Sequence, residues 1–338
     1  MPLPRLACAE SGNRPDRAFA FRTPAPHDPD MRFQPRRQLG RTGHVATILG
    51  IGDLADRALP LATCVATLQR ALDAGLNVVD TAPNYEDGYS EQVVGAALRG
   101  RRDGVFVIDK IDHLQQSVAP QLDGSLQRLG LDHVDLLVFH ACSTLPDLDV
   151  LTAPGGGFDQ LAAEVRRGRT RHRGISSHHP DVLLRALALG VCDVVMFPIG
   201  PFVDRRYETE VLPQARALGV GTVCFKTFGA GKLLGDTEGY QRPLTQRPRG
   251  KLSSGGAEVC APLLPRLSVD ECVRYTLTID PDVALLGLSF PNEQDAAFAA
   301  ARTFVPMTPA ELATTRERAA RAITGKGRIW WNPDCAER

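Results

Sequence analysis

The chain has 338 residues, 39 Lys plus Arg against 39 Asp plus Glu, and is 43% hydrophobic and 23% charged. A zero net charge argues for neither a nucleic acid nor a membrane surface as partner, and no apolar run reaches the roughly 20 residues of a membrane helix. With no apolar secretory leader, a cytoplasmic location is the default expectation. The eight cysteines (Cys8, Cys64, Cys142, Cys192, Cys224, Cys260, Cys272 and Cys335) form no C-x-x-C pair. They read as reduced thiols, mostly core fillers, rather than zinc ligands, cluster ligands or a disulfide framework.

Residues 1–30 carry Pro2, Pro4, Pro15, Pro24, Pro26 and Pro29 without apolar periodicity, and are expected to be a disordered leader outside a single domain spanning 31–338. Residues 31–49, around Gly40-Arg41-Thr42-Gly43, suit a β-hairpin that caps the structure beneath it. A strand, loop, helix rhythm then begins. Thr47 to Gly52 is the first strand and Leu61 to Ala74 the first helix, closed by Gly75. Asn77 to Thr81 is the second strand; after the loop Ala82-Pro83-Asn84-Tyr85-Glu86-Asp87-Gly88, its helix runs from Ser90 to about Leu98.

Val105 to Lys110 is the third strand with helix Val118 to Leu129, and Val134 to Phe139 the fourth, delivering His140 at its end. Ala141 to Gly157 reads as a loop before the helix Phe158 to Arg167. Thr170 to Ile175 and Val194 to Phe197 are strands five and six, with helices from Pro180 to Leu189 and Glu208 to Leu218. Gly221 to Lys226 is the seventh strand, followed by a long polar segment from Gly229 to Leu267. Val269 to Thr278, Val283 to Leu288 and Glu293 to Ala301 complete eight units; Pro309 to Ile323 is a further helix, and Trp330-Trp331 is expected to pack the tail onto the body.

Eight strand-helix units with buried-type strands, in roughly 250 residues, point to an α/β chain folded as a closed (β/α)8 TIM barrel with a hairpin cap and a helical tail. A doubly wound open sheet is the alternative, and it would want a Gly-rich phosphate turn opening a helix directly after its first strand. Asp80, Tyr85, Lys110 and His140 all fall at the carboxyl ends of strands two to four, which share one mouth in a barrel. Such a set suits acid-base work on an oxygen: a phenol beside an ammonium, a carboxylate to orient that ammonium, and an imidazole to hydrogen-bond the substrate oxygen. Taken singly, each has a plainer structural reading. The histidines His140, His172, His178 and His179 lack a carboxylate or thiol at ligand spacing, so no metal is expected.

The string Asp80-Thr81-Ala82-Pro83-Asn84-Tyr85, continuing through Gly88, Ser90-Glu91 and Gly95-Ala96-Ala97-Leu98, resembles the signature of the aldo-keto reductases. The resemblance extends to Leu39-Gly40-Arg41-Thr42-Gly43, Asp135 to His140, Arg173 to Ser177 and Gly229 to Leu233, covering about residues 31–300. It implies an oxidoreductase that binds NADP(H) or NAD(H) across the barrel mouth and transfers hydride to an aldehyde, ketone or sugar carbonyl. In that reading Tyr85 is the general acid, Lys110 lowers its pKa, Asp80 pairs with Lys110 and His140 orients the carbonyl. The cofactor contacts implied are Gly52, Ser176, Ser177, Phe225, Lys226, Ser289, Asn292 and Glu293, with Ser176-Ser177 at the carboxamide and Phe225 stacked on the nicotinamide.

Two departures stand out. Met196 occupies the position of an amide side chain that would hold the carboxamide, and Leu288-Ser289-Phe290-Pro291-Asn292-Glu293-Gln294 keeps a serine but lacks the two cations that read a 2′-phosphate. Lys232, Arg242, Arg247, Arg249 or Lys251 could replace them, so the choice between NADP and NAD stays open. The expected partner is a small carbonyl or alcohol substrate, with no nucleic acid and no membrane. The competing reading is a cofactor-sensing regulatory or interaction module on the same barrel, motivated by Met196, Gly200 and the strand-eight loop.

Overall fold

The computed structural model describes residues 36–235, 265–287, 291–326, 329 and 331–332, with backbone alone for 291–293. The chain divides into Met1–Met31 and Arg32–Arg338, and every described residue belongs to the second unit. The expected leader, 1–30, lies outside the described residues.

Two short strands, β1 (Arg36–Gln38) and β2 (Val45–Thr47), pair antiparallel as the expected hairpin. The turn between them is tight. Gly40 has φ +46°, and a Cβ there would lie 2.2 Å from the Gly221 backbone nitrogen, so glycine is required on both counts. Leu39 and Ala46 of this hairpin pack with the side chains that fill the barrel interior, which makes the hairpin a plug.

The barrel strands are β3 (Leu49–Ile51), β4 (Val78–Asp80), β5 (Phe106–Ile111), β6 (Val134–Phe139), β7 (Thr170–Ser176), β8 (Val194–Pro198), β9 (Gly221–Phe225) and β10 (Val283–Leu286). They pair in parallel in chain order, and β10 closes onto β3. All eight carboxyl ends therefore open on one mouth. The first strand is shorter than its sequence pattern implies because the chain breaks at Ile48. There the Thr47 backbone N–H donates to Asn77 Oδ1 at 2.7 Å and the Thr47 hydroxyl donates to the Leu49 carbonyl oxygen at 2.6 Å, satisfying the backbone where the ladder stops.

Alternation sorts each strand between two layers. Val78, Phe106, Ile108, Leu136, Val138 and Met196 fill the interior, while Val79, Val107, Leu137 and Phe139 face the surrounding helices. Around the strands run α1 (Leu61–Asp73), α2 (Tyr89–Leu98), α3 (Val118–Leu129), α4 (Leu145–Thr152), α5 (Gly157–Arg166), α6 (Pro180–Leu189), α7 (Leu212–Ala217), α8 (Val269–Ile279) and α9 (Pro291–Arg302). Helix α4 lies in a stretch read as loop. Its signal is local: Thr144 accepts the Asp147 backbone N–H as N-cap, with proline in the first turn. A single π turn, Tyr207–Val211, precedes α7 where one continuous helix was expected.

The tail helix α10 (Pro309–Ile323) starts with a capping box between Thr308 and Glu311. It buries Ala319, Ala322 and Ile323 against Leu233, Leu267 and Trp331. Trp331 is fully buried and its indole N–H donates to the Phe202 carbonyl oxygen at 3.1 Å; Trp330 lies outside the described residues. No described helix is long and apolar enough to cross a membrane. Cys64, Cys142, Cys192, Cys224 and Cys272 are buried free thiols.

Candidate active site

Strand alternation aims three of the four expected residues inward. Asp80 ends β4 two positions after interior Val78, Lys110 follows interior Ile108 on β5, and His140 comes two positions after interior Val138 of β6. Register places them side by side, since Asp80 pairs with Ile108 and Lys110 with Val138. Tyr85 arrives from the β4–α2 loop, whose Glu86, Asp87 and Gly88 all have positive φ. That run makes a compact turn. It is pinned by the Tyr85 N–H on the Ala82 carbonyl oxygen at 3.2 Å and by the Thr81 hydroxyl on Ser90 Oγ at 2.9 Å.

Lys110 Nζ donates to Asp80 Oδ1 at 2.6 Å and to the Thr81 carbonyl oxygen at 2.7 Å. It also lies 4.4 Å from the centroid of the Tyr85 ring, a cation–π approach worth on the order of 1 kcal/mol. The Tyr85 and His140 rings meet edge to face at 5.6 Å between centroids. The structure thus brings all four residues into one cluster.

Their electrostatics follow from burial. Desolvation alone would lower the Lys110 ammonium, but Asp80 and Tyr85 outweigh it and hold the pKa above the ordinary lysine value. Burial raises the Tyr85 phenol above its usual 10, and the opposing pull of Lys110 does not cancel it. Lys110 acts in the expected direction, yet the phenol stays protonated. Burial likewise lowers the His140 imidazolium, with Asp112 opposing and Lys110 reinforcing the shift.

Two carboxylates missing from the sequence reading join the cluster. Asp112, two residues beyond Lys110, meets His140 Nδ1 and accepts the Asn84 N–H at 2.8 Å; the period of two that aims Lys110 inward was the available signal. Asp53, just after β3, is pushed up to about 6 by burial, and its charge in turn acts on Tyr85. Its signal was a carboxylate at a strand's carboxyl end.

Of the expected cofactor residues, Ser176 and Ser177 lie at the end of β7, Phe225 and Lys226 at the end of β9, and Gly52 just after β3. Ser176 ends β7, is buried and pairs in register with Met196. Ser177 is also buried, but its hydroxyl accepts the His179 N–H at 3.1 Å and so serves its own turn. Phe225, at the end of β9, is half-buried with its ring 5.3 Å from that of His178. Burial pulls Lys226 down to about 8, and its Nζ stands 5.7 Å from the Phe225 centroid. The Gly52 N–H is spent on the Leu286 carbonyl oxygen at 2.9 Å. Ser289 and the side chains of Asn292 and Glu293 lie outside the described residues, as do Arg242, Arg247, Arg249 and Lys251.

Residues 47–301 match the Aldo/keto reductase family. The chain belongs to that family. As an aldo-keto reductase it is 27% identical over 219 residues to the NADH-specific methylglyoxal reductase of Escherichia coli (strain K12), covering 58% of this chain and 66% of the relative. It is 29% identical over 211 residues to the D-threo-aldose 1-dehydrogenase of a Pseudomonas species, covering 52% and 63%. The chain thus spans just under two thirds of the length of these curated relatives. The holo form of an aldo-keto reductase from Bacillus halodurans superposes with a TM-score of 0.63 at 22% identity, covering 86% of this chain and 96% of that one. An aldo-keto reductase from Klebsiella pneumoniae in complex with NADPH gives 0.60 at 21% identity, covering 81% and 91%. At those identities the likeness is one of fold.

Proposed function

We propose that this aldo-keto reductase moves hydride between NADP(H) or NAD(H) and the carbonyl carbon of a small aldehyde, ketone or sugar, with Tyr85 as general acid and base. The observation that carries the reading is the convergence of Asp80, Lys110, Tyr85 and His140 at one barrel mouth, with Lys110 held 2.6 Å from Asp80. The residues opposite suit a nicotinamide. Phe225 offers a partly exposed aromatic face and Ser176 a hydroxyl, although Met196 supplies no amide. When bound, the nicotinamide supplies or receives the hydride. The chain's own contribution is geometry and a proton.

A protonated phenol is the form required to donate a hydrogen bond, then a proton, to an oxygen gaining negative charge. Lys110 beside the ring stabilises the phenolate left behind, and Asp80 keeps that lysine charged and oriented. The purely cofactor-sensing reading draws its support from Met196 and the strand-eight loop, but does not account for a complete acid-base cluster. A cytoplasmic setting is part of the proposal, checked by cell fractionation.

Titration of the full chain with NADPH and NADH, followed by fluorescence, and then by carbonyl-dependent oxidation of the better ligand, tests the reading. Binding with turnover over a panel of small aldehydes and ketones is expected. Absence of binding to either dinucleotide overturns it, and binding without turnover returns the chain to the sensing class. Preference for NADPH assigns phosphate contacts to cations of the long basic segment; preference for NADH matches the missing strand-eight cations.

A further inference from the structure

Asp112 has no role in the four-residue scheme, yet it touches two parts of the site. One carboxylate oxygen meets His140 Nδ1; the other accepts the backbone N–H of Asn84, the residue before Tyr85, at 2.8 Å. Both partners are shielded, with the Asp112 and His140 side chains 10% and 14% exposed. A carboxylate can only accept. The ring nitrogen facing it therefore carries the hydrogen, and a neutral imidazole has one hydrogen to place, so Nε2 is left as a lone pair.

We infer that Asp112 is a positioning residue that locks His140 as its Nδ1–H tautomer, so that the neutral imidazole offers the reacting oxygen an acceptor, complementary to an alcohol hydroxyl rather than to a carbonyl oxygen. The groups around the ring keep it neutral. Lys110 from β5 and His178 from the loop after β7 oppose its charging, and so does burial; Asp112 and Asp80 favour the charge but do not prevail. A carbonyl must then take its hydrogen bond from the Tyr85 hydroxyl, or from the minor imidazolium form of His140. The choice of alcohol over carbonyl rests on the oxidoreductase proposal; the tautomer does not.

Asp112→Asn is a directed test. The Asn84 N–H continues to select an oxygen, so the amide NH2 turns toward His140 and donates to Nδ1. This forces the hydrogen onto Nε2. Nitrogen-15 spectra of the histidine-labelled full chain, with His140 assigned by the loss of its signals in His140→Gln, report the tautomer directly. The wild type is expected to show protonated Nδ1 and the Asp112→Asn variant protonated Nε2.

Because one equilibrium constant ties the two directions of turnover together, the kinetic readout is KM. With nitrobenzaldehyde and nitrobenzyl alcohol as probes, Asp112→Asn should lower the aldehyde KM and raise the alcohol KM, each roughly tenfold, the worth of about one hydrogen bond. The aldehyde KM of the wild type should fall with decreasing pH, and that dependence should flatten in the variant. Protonated Nε2 in the wild type overturns the inference even if the variant fails to fold, as does an unchanged tautomer in a folded variant. Unaltered KM values alongside a switched tautomer overturn the alcohol assignment. Absence of turnover with either probe, with protonated Nδ1 in the wild type, upholds the tautomer and counts against the oxidoreductase proposal alone.

Discussion

Lys110 and Asp80, from adjacent barrel strands, form an ion pair 2.6 Å long with side chains only 2% and 5% exposed. Burying both charges costs several kcal/mol per ion before their attraction is counted, so the pair is poor as pure architecture and makes sense as a device that holds an ammonium beside Tyr85. Removing one member leaves the other uncompensated. Lys110→Met or Asp80→Ala is expected to lower unfolding free energy by about 3–5 kcal/mol, while the double variant loses less than the sum. Urea denaturation of the four proteins in a double-mutant cycle checks this; additive losses would mean that the pair is not coupled.

Tyr85→Phe keeps the ring, its edge contact with His140 and its face toward Lys110, and removes only the hydroxyl. Turnover is expected to fall roughly 10²–10⁴-fold, the usual share of a general acid, with dinucleotide affinity and melting temperature close to wild type. Steady-state kinetics beside a binding titration separates the two effects. Retained turnover would remove Tyr85 from the proton path.

Gly95 sits where α2 crosses α3, and a Cβ there would lie 2.0 Å from the Leu129 carbonyl oxygen. The obstacle is backbone, so relief requires the helices to part. Gly95→Ala is expected to destabilise by roughly 3 kcal/mol, although alanine is the better helix former, with the kinetic constants of the remaining folded protein little changed. A rise in the denaturation midpoint would show that the helices are free to separate at this crossing.

Asp109 points out of the barrel toward α2 and α3, where burial, aided by the charge of Glu91, pushes it up to about 7 from an ordinary 3.8. Its Oδ2 has no hydrogen-bond partner among the described residues. The native state therefore holds this proton at pH values where the unfolded chain has released it, and stability should decline as pH rises from about 4 to about 7, then level off. Asp109→Asn should make that decline shallower, leaving the part carried by Asp53, and gain most over wild type above pH 7. Urea midpoints across this range decide it; a midpoint rising with pH in the wild type, and falling to a plateau only in the variant, would reverse the assignment.

Much of the fold was legible because its signals are local. Alternating strands, Gly75, Gly130, Gly168 and Gly190 at helix ends, and polar residues at strand tips each need only a few neighbouring residues to be read. The same period of two that aims Lys110 and His140 inward also aims Asp112, whose position was readable although its partner was not. Helix α4 carried its Thr144–Asp147 cap in plain sequence, but its short apolar pattern merged with the loop around it.

By itself the sequence determined which residues could do chemistry, the repeating order that makes a barrel, and the mouth on which Asp80, Tyr85, Lys110 and His140 would meet. Only the tertiary structure decided how they act on one another. The Asp112 contact with His140 joins groups 28 residues apart, and depends on the register between β5 and β6. The upward shift of the Tyr85 phenol depends on how much water the closed barrel excludes, since desolvation there outweighs the pull of Lys110. Both are sums over neighbours brought together by folding, and neither distance nor dielectric is written in the order of residues along a chain.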